Sequence, residues 1–181
     1  MKKRTISIFG SARPEKDTAV YQTALQLGRQ LAQANYTVMT GGYMGMMEAV
    51  SHGAHLAGGH VVGVTADRVE TFRPIGPNPW IKQEIRFTTL RDRLLHLVQE
   101  NDGMIALPGG IGTLTEVAMA WNGLQTGEIP PRPLILLGET WRTTLTTFFD
   151  GDYISEADFA RLTFVNTPEE AVASLTAQLT S

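Results

Sequence analysis

Short apolar segments alternate with segments of helical periodicity along this sequence, and that alternation limits the possible folds more than any other feature. The apolar segments carry hydrophobic residues at successive positions, as strands do when both faces of a sheet are covered. Strands separated by helices predict an α/β fold with a parallel sheet, helices on both faces and right-handed crossovers. The predicted strands are residues 5–9, 36–40, 60–65, 82–88, 103–107, 134–137 and 162–165, and the predicted helices are residues 17–33, 44–56, 90–99, 113–124, 140–149 and 168–179.

Length and composition exclude several classes of protein. The 181 residues predict one domain, residues 1–181, because domains average about 150 residues. The absence of cysteine excludes disulfides, thiol nucleophiles and cysteine-ligated metals. The net charge of −3 gives no basic footprint for nucleic acid, and no apolar run reaches the ~18 residues of a membrane span. We therefore expect a cytoplasmic protein with neither nucleic-acid nor membrane partners.

Glycine lies at the exits of the first two predicted strands and of the strand at 103–107. Ligands of parallel sheets bind beyond the carboxyl ends of the strands, near a switch in strand order. We therefore expect the site at these strand ends. The candidate residues are Gly10 and Ser11, with Arg13 close behind, after the first strand; Gly41, Gly42 and Gly45 after the second; and Pro108, Gly109 and Gly110 after the strand at 103–107.

The segment from Pro108 to Glu116 carries the clearest chemistry. It joins a buried strand to a helix, so that glycine N–H groups and the helix N-terminus can surround an anion. Thr113 adds a hydroxyl group, and Glu116 lies about one turn deeper on the same helix face. A phosphate site beside a carboxylate is predicted, with the phosphate held by Pro108, Gly109, Gly110, Ile111, Gly112 and Thr113.

The glycines of this segment complete neither of two common nucleotide-binding motifs. A P-loop needs a lysine after the glycines, and a dinucleotide-binding fingerprint needs a third glycine where Thr115 stands. The alternative to a phosphate site is a plain glycine turn followed by a first-turn glutamate that favours the helix dipole.

A cation for the phosphate has to come from elsewhere in the chain, because residues 94–131 contain no lysine or arginine. The helix predicted at 90–99 supplies Arg91 and Arg93. Arginine binds phosphate or carboxylate through two parallel hydrogen bonds. The alternative is that both are solvated surface arginines paired with Asp92 or Glu100.

At this point the sequence resembles the LOG (LONELY GUY) family. Residues 108–116 match the family's Pro-Gly-Gly-x-Gly-Thr-x-x-Glu signature, and Arg93 falls where the family has its functional arginine. Residues 40–48 resemble the family's Gly-Gly-Gly-x-x-Gly-Leu-Met-Gly stretch, and residues 8–11 its N-terminal Gly-Ser strand exit. The resemblance covers roughly residues 4–140.

This sequence differs from the family pattern at three of these positions. Leu94 stands where the family usually has a lysine after the arginine. Thr40 and Glu48 replace the outer glycines of the second stretch. These differences bear on which substrate the site accepts.

The resemblance implies a single-domain Rossmann-like fold, a homodimer and a hydrolase. The implied reaction cleaves a nucleoside 5′-monophosphate, of the cytokinin riboside monophosphate or AMP type, to a free base and ribose 5-phosphate. Glu116 and Arg93 would be the catalytic pair, and neither a cofactor nor a metal is expected. The alternative is a carrier that uses the same phosphate site for molybdenum cofactor, a phosphorylated pterin. The other candidate substrate contacts are Gly10, Ser11, Arg13, Gly41, Gly42 and Gly45.

The family's older label as a lysine decarboxylase does not fit this chain. Such enzymes normally use pyridoxal phosphate bound to a lysine, and the chain has four lysines. Only Lys82 lies where a Schiff base is conceivable, and no motif surrounds it. We therefore reject the label.

A few further residues have two interpretations. His52 and His55, three positions apart, could bind a metal, but surface histidines are the better interpretation. Tyr43 and Trp80 could stack on a base or pack in the core. Residues 66–80, which hold three prolines, predict an irregular segment that is either a functional loop or a plain connection.

The assembly can also be predicted from apolar residues. The helices at 90–99 and 113–124 carry more of them than one sheet face covers, including Leu95, Met119 and Trp121. A two-fold interface is therefore expected.

Overall fold

The computed structural model describes residues 3–72 and 74–180. The strands are β1 (Thr5–Phe9), β2 (Thr37–Thr40), β3 (Val61–Ala66), β4 (Gln83–Phe87), β5 (Gly103–Ala106), β6 (Leu134–Leu137) and β7 (Leu162–Val165). The helices are α1 (Ala19–Gln33), α2 (Met46–Leu56), α3 (Asp67–Phe72), α4 (Leu90–Gln99), α5 (Ile111–Thr126), α6 (Glu139–Phe148), α7 (Glu156–Phe159) and α8 (Pro168–Thr180).

The strands form one seven-stranded sheet in the order β4-β3-β2-β1-β5-β6-β7. Every neighbouring pair is parallel. The chain builds outward from β1 to β4 on one side and then returns to the other side of β1 with β5. The strand order therefore switches between β1 and β5, where the connections leave in opposite directions and open a crevice.

Apolar cores fill both faces of the sheet. Successive strand residues point to opposite faces, so Ile6 and Ile8 of β1 join one core while Phe9 joins the other. Helices α1, α2 and α8 cover the first face, and α4, α5 and α6 cover the second. This arrangement confirms the predicted Rossmann-like α/β fold.

Two short helices were missed by the sequence prediction. Helix α3 lies inside the stretch 66–80, which was expected to be irregular, and α7 lies in a stretch for which nothing was predicted. Neither helix has a buried residue. Because helical periodicity in a sequence comes from an apolar face, a helix without such a face leaves no signal to detect.

Helix starts also differ by two residues from the prediction. Helix α1 begins at Ala19 after Thr18, whose side chain caps the helix. Helix α5 begins at Ile111 rather than Thr113, directly after Gly110. This earlier start places Glu116 beyond the first turn of α5, which contains no acidic residue. The alternative of a first-turn glutamate favouring the helix dipole therefore does not describe this protein.

Membrane-spanning helices and metal-binding clusters are both absent from the described part of the chain. Over residues 3–72 and 74–180, none of the helices is both long and apolar enough to cross a bilayer. Within those same ranges, His, Asp and Glu side chains do not gather in threes as they would around a metal ion.

Candidate active site

A cavity of about 1030 Å³ lies at the switch in strand order. Backbone hydrogen bonds hold its rim together: Ser11 N–H donates to the carbonyl of Pro108 (3.3 Å), and Met46 N–H donates to the carbonyl of Ser11 (2.9 Å). The connections after β1, β2 and β5 thereby meet at one place. The cavity lies at the strand ends where the sequence analysis expects a site.

The glycine loop after β5 forms one wall of the cavity. A Cβ atom at Gly109 would lie 2.1 Å from Oγ1 of Thr113, so glycine is needed there for Thr113 to fold back against the loop. A Cβ at Gly110 or Gly112 would meet no atom within 4 Å. Protein packing therefore gives no reason for these two glycines, and their bare backbone leaves room for a ligand to approach closely.

The N-terminus of α5 faces the same cavity. Its N-cap residue is Gly110, and no side chain accepts a hydrogen bond from the first N–H groups of the helix. Uncapped N–H groups at a helix N-terminus carry a partial positive charge of about half a unit. Together with the hydroxyl of Thr113, they form a set of donors suited to a phosphate.

Glu116 lies one turn further along α5 and lines the cavity, partly buried. Burial raises the pKa of its carboxyl group to about 7, although the positive charge of Arg93 acts in the opposite direction. A carboxyl group with this pKa changes its charge near neutral pH, which is a property of catalytic acids and bases.

Arg93 is 8% exposed and lies in the interior rather than on the surface. Its Nε donates to the carbonyl of Val64 (2.7 Å) and its Nη2 to the carbonyl of Gly41 (3.0 Å). The guanidinium also lies over the ring of Tyr43, 5.6 Å from its centroid. Burial lowers the pKa of Arg93, while the charge of Glu116 raises it. The two carbonyls fix the orientation of the guanidinium in the cavity wall.

Arg91, the other arginine of α4, lies on the surface. The side chain of Arg91 is 81% exposed and pairs with Asp92 at 3.4 Å. The surface interpretation therefore holds for Arg91 and fails for Arg93.

The glycines after β2 shape the site without lining the cavity. A Cβ at Gly41 would lie 2.0 Å from Nη2 of Arg93 and 2.6 Å from Sδ of Met47, so only glycine leaves space for the guanidinium. Gly45 has a left-handed φ of 69°, and a Cβ there would lie 2.5 Å from the backbone of Ala12. Gly41, Gly42 and Gly45 thus lie outside the cavity lining, and Gly41 and Gly45 leave space for groups that pack beside it.

Gly10, Ser11 and Arg13 do line the cavity, as expected for candidate substrate contacts. Ser11 Oγ accepts a hydrogen bond from the backbone N–H of Arg13 (3.1 Å), which tightens the turn after β1. Arg13 is exposed at the rim. These residues adjoin the start of the glycine loop, because Ser11 N–H donates to the carbonyl of Pro108.

Apolar residues outside the predicted set of site residues complete the wall. Val69 and Phe72 come from α3, and Ile75 from the segment after it. Met46 and Met47, which begin α2, also line the cavity. The one available signal was the unusual length of the connection 66–80, which did not show which side chains it contributes.

Packing decides between the two interpretations of the histidines and of the aromatic residues. His52 stacks on Trp80 with ring centroids 4.0 Å apart, and His55 contacts the same indole at 5.3 Å. Trp80 therefore packs against α2, outside the cavity lining. Tyr43, by contrast, is 2% exposed and lines the cavity.

The chain resembles known proteins over nearly its whole length. A family model described as the SLOG cluster4 family matches residues 3–172. A protein of Oryza sativa subsp. japonica named probable cytokinin riboside 5′-monophosphate phosphoribohydrolase is 34% identical over 81% of this chain and 59% of its own. An Arabidopsis thaliana protein named cytokinin riboside 5′-monophosphate phosphoribohydrolase is 32% identical over 81% of this chain and 68% of its own. The chain thus spans about three fifths of the rice relative.

A solved structure with a different described role has the same fold. The molybdenum cofactor binding protein of the phototrophic bacterium Rippkaea orientalis superposes with a TM-score of 0.75 at 25% identity, covering 98% of each chain. Three findings indicate the same family: the signature residues of the glycine loop, the match to the family model and the similarity to the plant proteins. This chain belongs to the LOG family, as a protein matching the SLOG cluster4 description.

Proposed function

We propose that the protein hydrolyses the N-glycosidic bond of a nucleoside 5′-monophosphate, of the AMP or cytokinin riboside monophosphate type, to a free base and ribose 5-phosphate. The observation that carries the proposal is a carboxyl group with a pKa near 7 one helical turn from an uncapped helix N-terminus, in one cavity. Such a pair offers an anchor for phosphate and a group that can exchange a proton near neutral pH.

The phosphate binds in the glycine loop. Backbone N–H groups around Gly110 and Gly112 and the hydroxyl of Thr113 donate to its oxygens, and the dipole of α5 adds to the attraction. The ribose then extends from this anchor toward Glu116. Binding energy from the phosphate is used to place the reacting carbon against the carboxylate.

Glu116 in its ionised form takes a proton from a water molecule as the water oxygen bonds to the anomeric carbon of the ribose. The electron pair of the breaking carbon–nitrogen bond leaves with the base, which gains a proton from solvent. The ribose passes through a state resembling an oxocarbenium ion, and the negative carboxylate also stabilises its positive charge.

Arg93 positions this carboxylate and keeps part of it ionised. Two of its N–H groups are engaged by the carbonyls of Val64 and Gly41, which favours a fixed charge in the wall over a mobile grip on the phosphate. Its charge lowers the pKa of Glu116 against the effect of burial.

A second candidate function is a carrier for a phosphorylated pterin such as molybdenum cofactor. It is favoured by the similarity to the Rippkaea orientalis protein, which extends over 98% of the chain. A carrier would use the same phosphate anchor and would release no base.

Base release from a panel of nucleoside 5′-monophosphates tests the proposal, with the matching nucleosides as controls. Chromatography should detect free base and ribose 5-phosphate in equal amounts. We expect kcat/KM for AMP to exceed that for adenosine by at least ~10²-fold, because several charge-assisted hydrogen bonds to the phosphate are lost in the nucleoside. Equal kcat/KM values for AMP and adenosine would show that the phosphate contributes nothing to recognition, and would overturn the proposed phosphate site. Tight binding of nucleotide or pterin without base release would favour the carrier.

A further inference from the structure

Helix α3 is held in place by polar contacts rather than by an apolar core. None of its residues is buried. Arg86, on the edge strand β4, donates to Asp67 (2.8 Å) and to both carboxylate oxygens of Glu70 (3.0 and 2.6 Å). Exposed ion pairs contribute little one at a time, but a network in bidentate geometry contributes more. Arg86 thus clamps α3 at two points one turn apart.

A second set of bonds ties the start of α3 to the cavity wall. The hydroxyl of Tyr43 accepts a hydrogen bond from the N–H of Ala66 (2.8 Å) and contacts the carbonyl of the same residue (3.1 Å). Ala66 is the last residue of β3, immediately before α3. The same hydroxyl lies 3.4 Å from Glu70. Helix α3 is therefore fixed relative to Tyr43, whose ring lies against the guanidinium of Arg93.

These contacts present apolar side chains at one end of the cavity. Val69 and Phe72 line it, although Phe72 is 81% exposed. The glycine loop follows β5, and α3 follows β3; β2 and β1 stand between them. Three strand spacings of about 4.8 Å separate them by roughly 14 Å. A nucleoside monophosphate with its base extended away from its phosphate spans a comparable length.

The cavity thus has a polar end that suits a phosphate and an apolar end that suits a flat heteroaromatic ring. We propose that α3 is the wall that receives the base, with Phe72 and Val69 against its ring and Arg86 as the positioning residue that holds the wall in place. This inference rests on the proposed function, since it takes the phosphate to lie in the glycine loop.

Calorimetric titration with AMP and with ribose 5-phosphate, which lacks a base, tests the role of Phe72. The reference protein and all variants carry Glu116→Gln, which suppresses turnover so that AMP is not consumed during the titration. Phe72→Ala should weaken AMP binding about 10-fold, because stacking of a base on an aromatic side chain is lost, and should leave the Kd for ribose 5-phosphate unchanged. Phe148→Ala is the matched control, since Phe148 is 64% exposed on α6 and does not line the cavity. It should change neither Kd.

The role of Arg86 is tested with the same two ligands. Arg86→Met should weaken AMP binding roughly fivefold without affecting ribose 5-phosphate, and Arg86→Lys should restore part of the loss, because lysine can contact one carboxylate but not clamp two. Arg142→Met is the control: the side chain of Arg142 is 45% exposed, against 44% for Arg86, and pairs with Glu139 within α6.

The outcomes separate this inference from the proposed function. A Glu116→Gln reference protein that binds neither ligand would overturn both. Equal affinity of this reference protein for AMP and ribose 5-phosphate would overturn the base-binding role of α3 and leave the phosphate site in the glycine loop standing. Loss of both ligands in the Phe72 and Arg86 variants would show a general structural effect and overturn the inference. An unchanged Kd for AMP in the Phe72 and Arg86 variants, whatever their oligomeric state, would also overturn the inference.

Discussion

At the scale of single residues, two charged groups in the cavity modify each other. Burial raises the pKa of Glu116 and lowers that of Arg93, and each charge partly reverses the effect on its neighbour. The result is a carboxyl group that is about half ionised at pH 7. Both its activity and its effect on stability should therefore change with pH around neutrality.

Replacing Glu116 by glutamine tests its part in the reaction. Glu116→Gln keeps the shape of the side chain and removes its proton exchange, so turnover should fall by about 10²- to 10⁴-fold while nucleotide binding persists. Glu128→Gln, the same change at an exposed position just after α5, should leave steady-state rates unaltered. Wild-type turnover in Glu116→Gln would assign the carboxyl group a structural role.

The carboxyl group of Glu116 should also make the wild-type reaction depend on pH. With a pKa of about 7, its ionised fraction rises about tenfold between pH 6 and pH 8, and kcat/KM should rise with it. The raised pKa means that the folded free protein holds a proton that the unfolded chain releases near pH 4.5. Its stabilising effect is present below that pH and is lost as pH increases through about 7.

Thermal unfolding can measure this stability effect. At pH 8 the wild type keeps a charge in a partly buried position and the glutamine variant does not. Glu116→Gln should therefore be more stable than the wild type at pH 8, by on the order of 1 kcal/mol once solvent screening is allowed for. The difference should shrink toward pH 5. A constant difference across this range would contradict the assigned pKa.

At the scale of elements, the start of α5 is the part most directly shaped for a ligand. Gly110 has φ −99° and ψ −153°, an extended conformation open to any residue. Its Cβ would meet no protein atom. A methyl group there costs the fold nothing but enters the space assigned to the phosphate.

Gly110→Ala should therefore separate stability from binding. We expect an unchanged or slightly higher Tm, because alanine restricts the unfolded chain, together with at least a ~10-fold higher KM for AMP. Gly76→Ala is the control, since a Cβ at Gly76 also meets nothing within 4 Å and Gly76 does not line the cavity. Equal KM values in the two variants would show that the phosphate does not lie against Gly110.

The elements also show what the sequence could and could not reveal. Strands such as β5 and β6 were predictable because burial on both faces requires continuous apolar residues. The loop at Pro108–Thr113 was predictable because closely spaced glycines between a strand and a helix are typical of a tight turn or of backbone approached by a ligand. The part of the cavity wall formed by α3 was not predictable, because α3 has no apolar periodicity. The position of α3 also depends on Arg86, which lies on β4. Burial of Arg93 depends likewise on the carbonyls of Val64 in β3 and of Gly41 just after β2, both far from it in sequence.

At the scale of the whole molecule, the apolar residues expected to form a dimer interface are divided. Met119 and Trp121 pack within the chain, and Trp121 donates to the carbonyl of Asp158 (2.8 Å). Leu90, Ile111 and Leu114 stay 54%, 85% and 44% exposed at the starts of α4 and α5. Leu95, the third residue named for the expected interface, is partly buried. We therefore propose that a two-fold interface would form around Leu90, Leu114 and Ile111, the last of which lies outside the helix predicted at 113–124.

Light scattering at micromolar concentration should give twice the 19.8 kDa mass of one chain. Leu114→Lys should shift the protein toward the monomer, because a charge is costly in an apolar interface. Leu56→Lys, at a leucine that is 55% exposed on α2, should leave the mass unchanged. A monomeric wild type would refute the assembly.

The contact between Gly41 and Arg93 also restricts the order in which this sequence can change during evolution. While arginine occupies position 93, no side chain fits at position 41. A descendant that first loses the arginine can gain a larger residue at 41 once the flexible end of Met47, whose Sδ would lie 2.6 Å from the new Cβ, shifts away. From then on the arginine can return only if glycine returns first. These two positions should therefore change together across descendants, and a larger residue gained at 41 after loss of the arginine makes that loss hard to reverse.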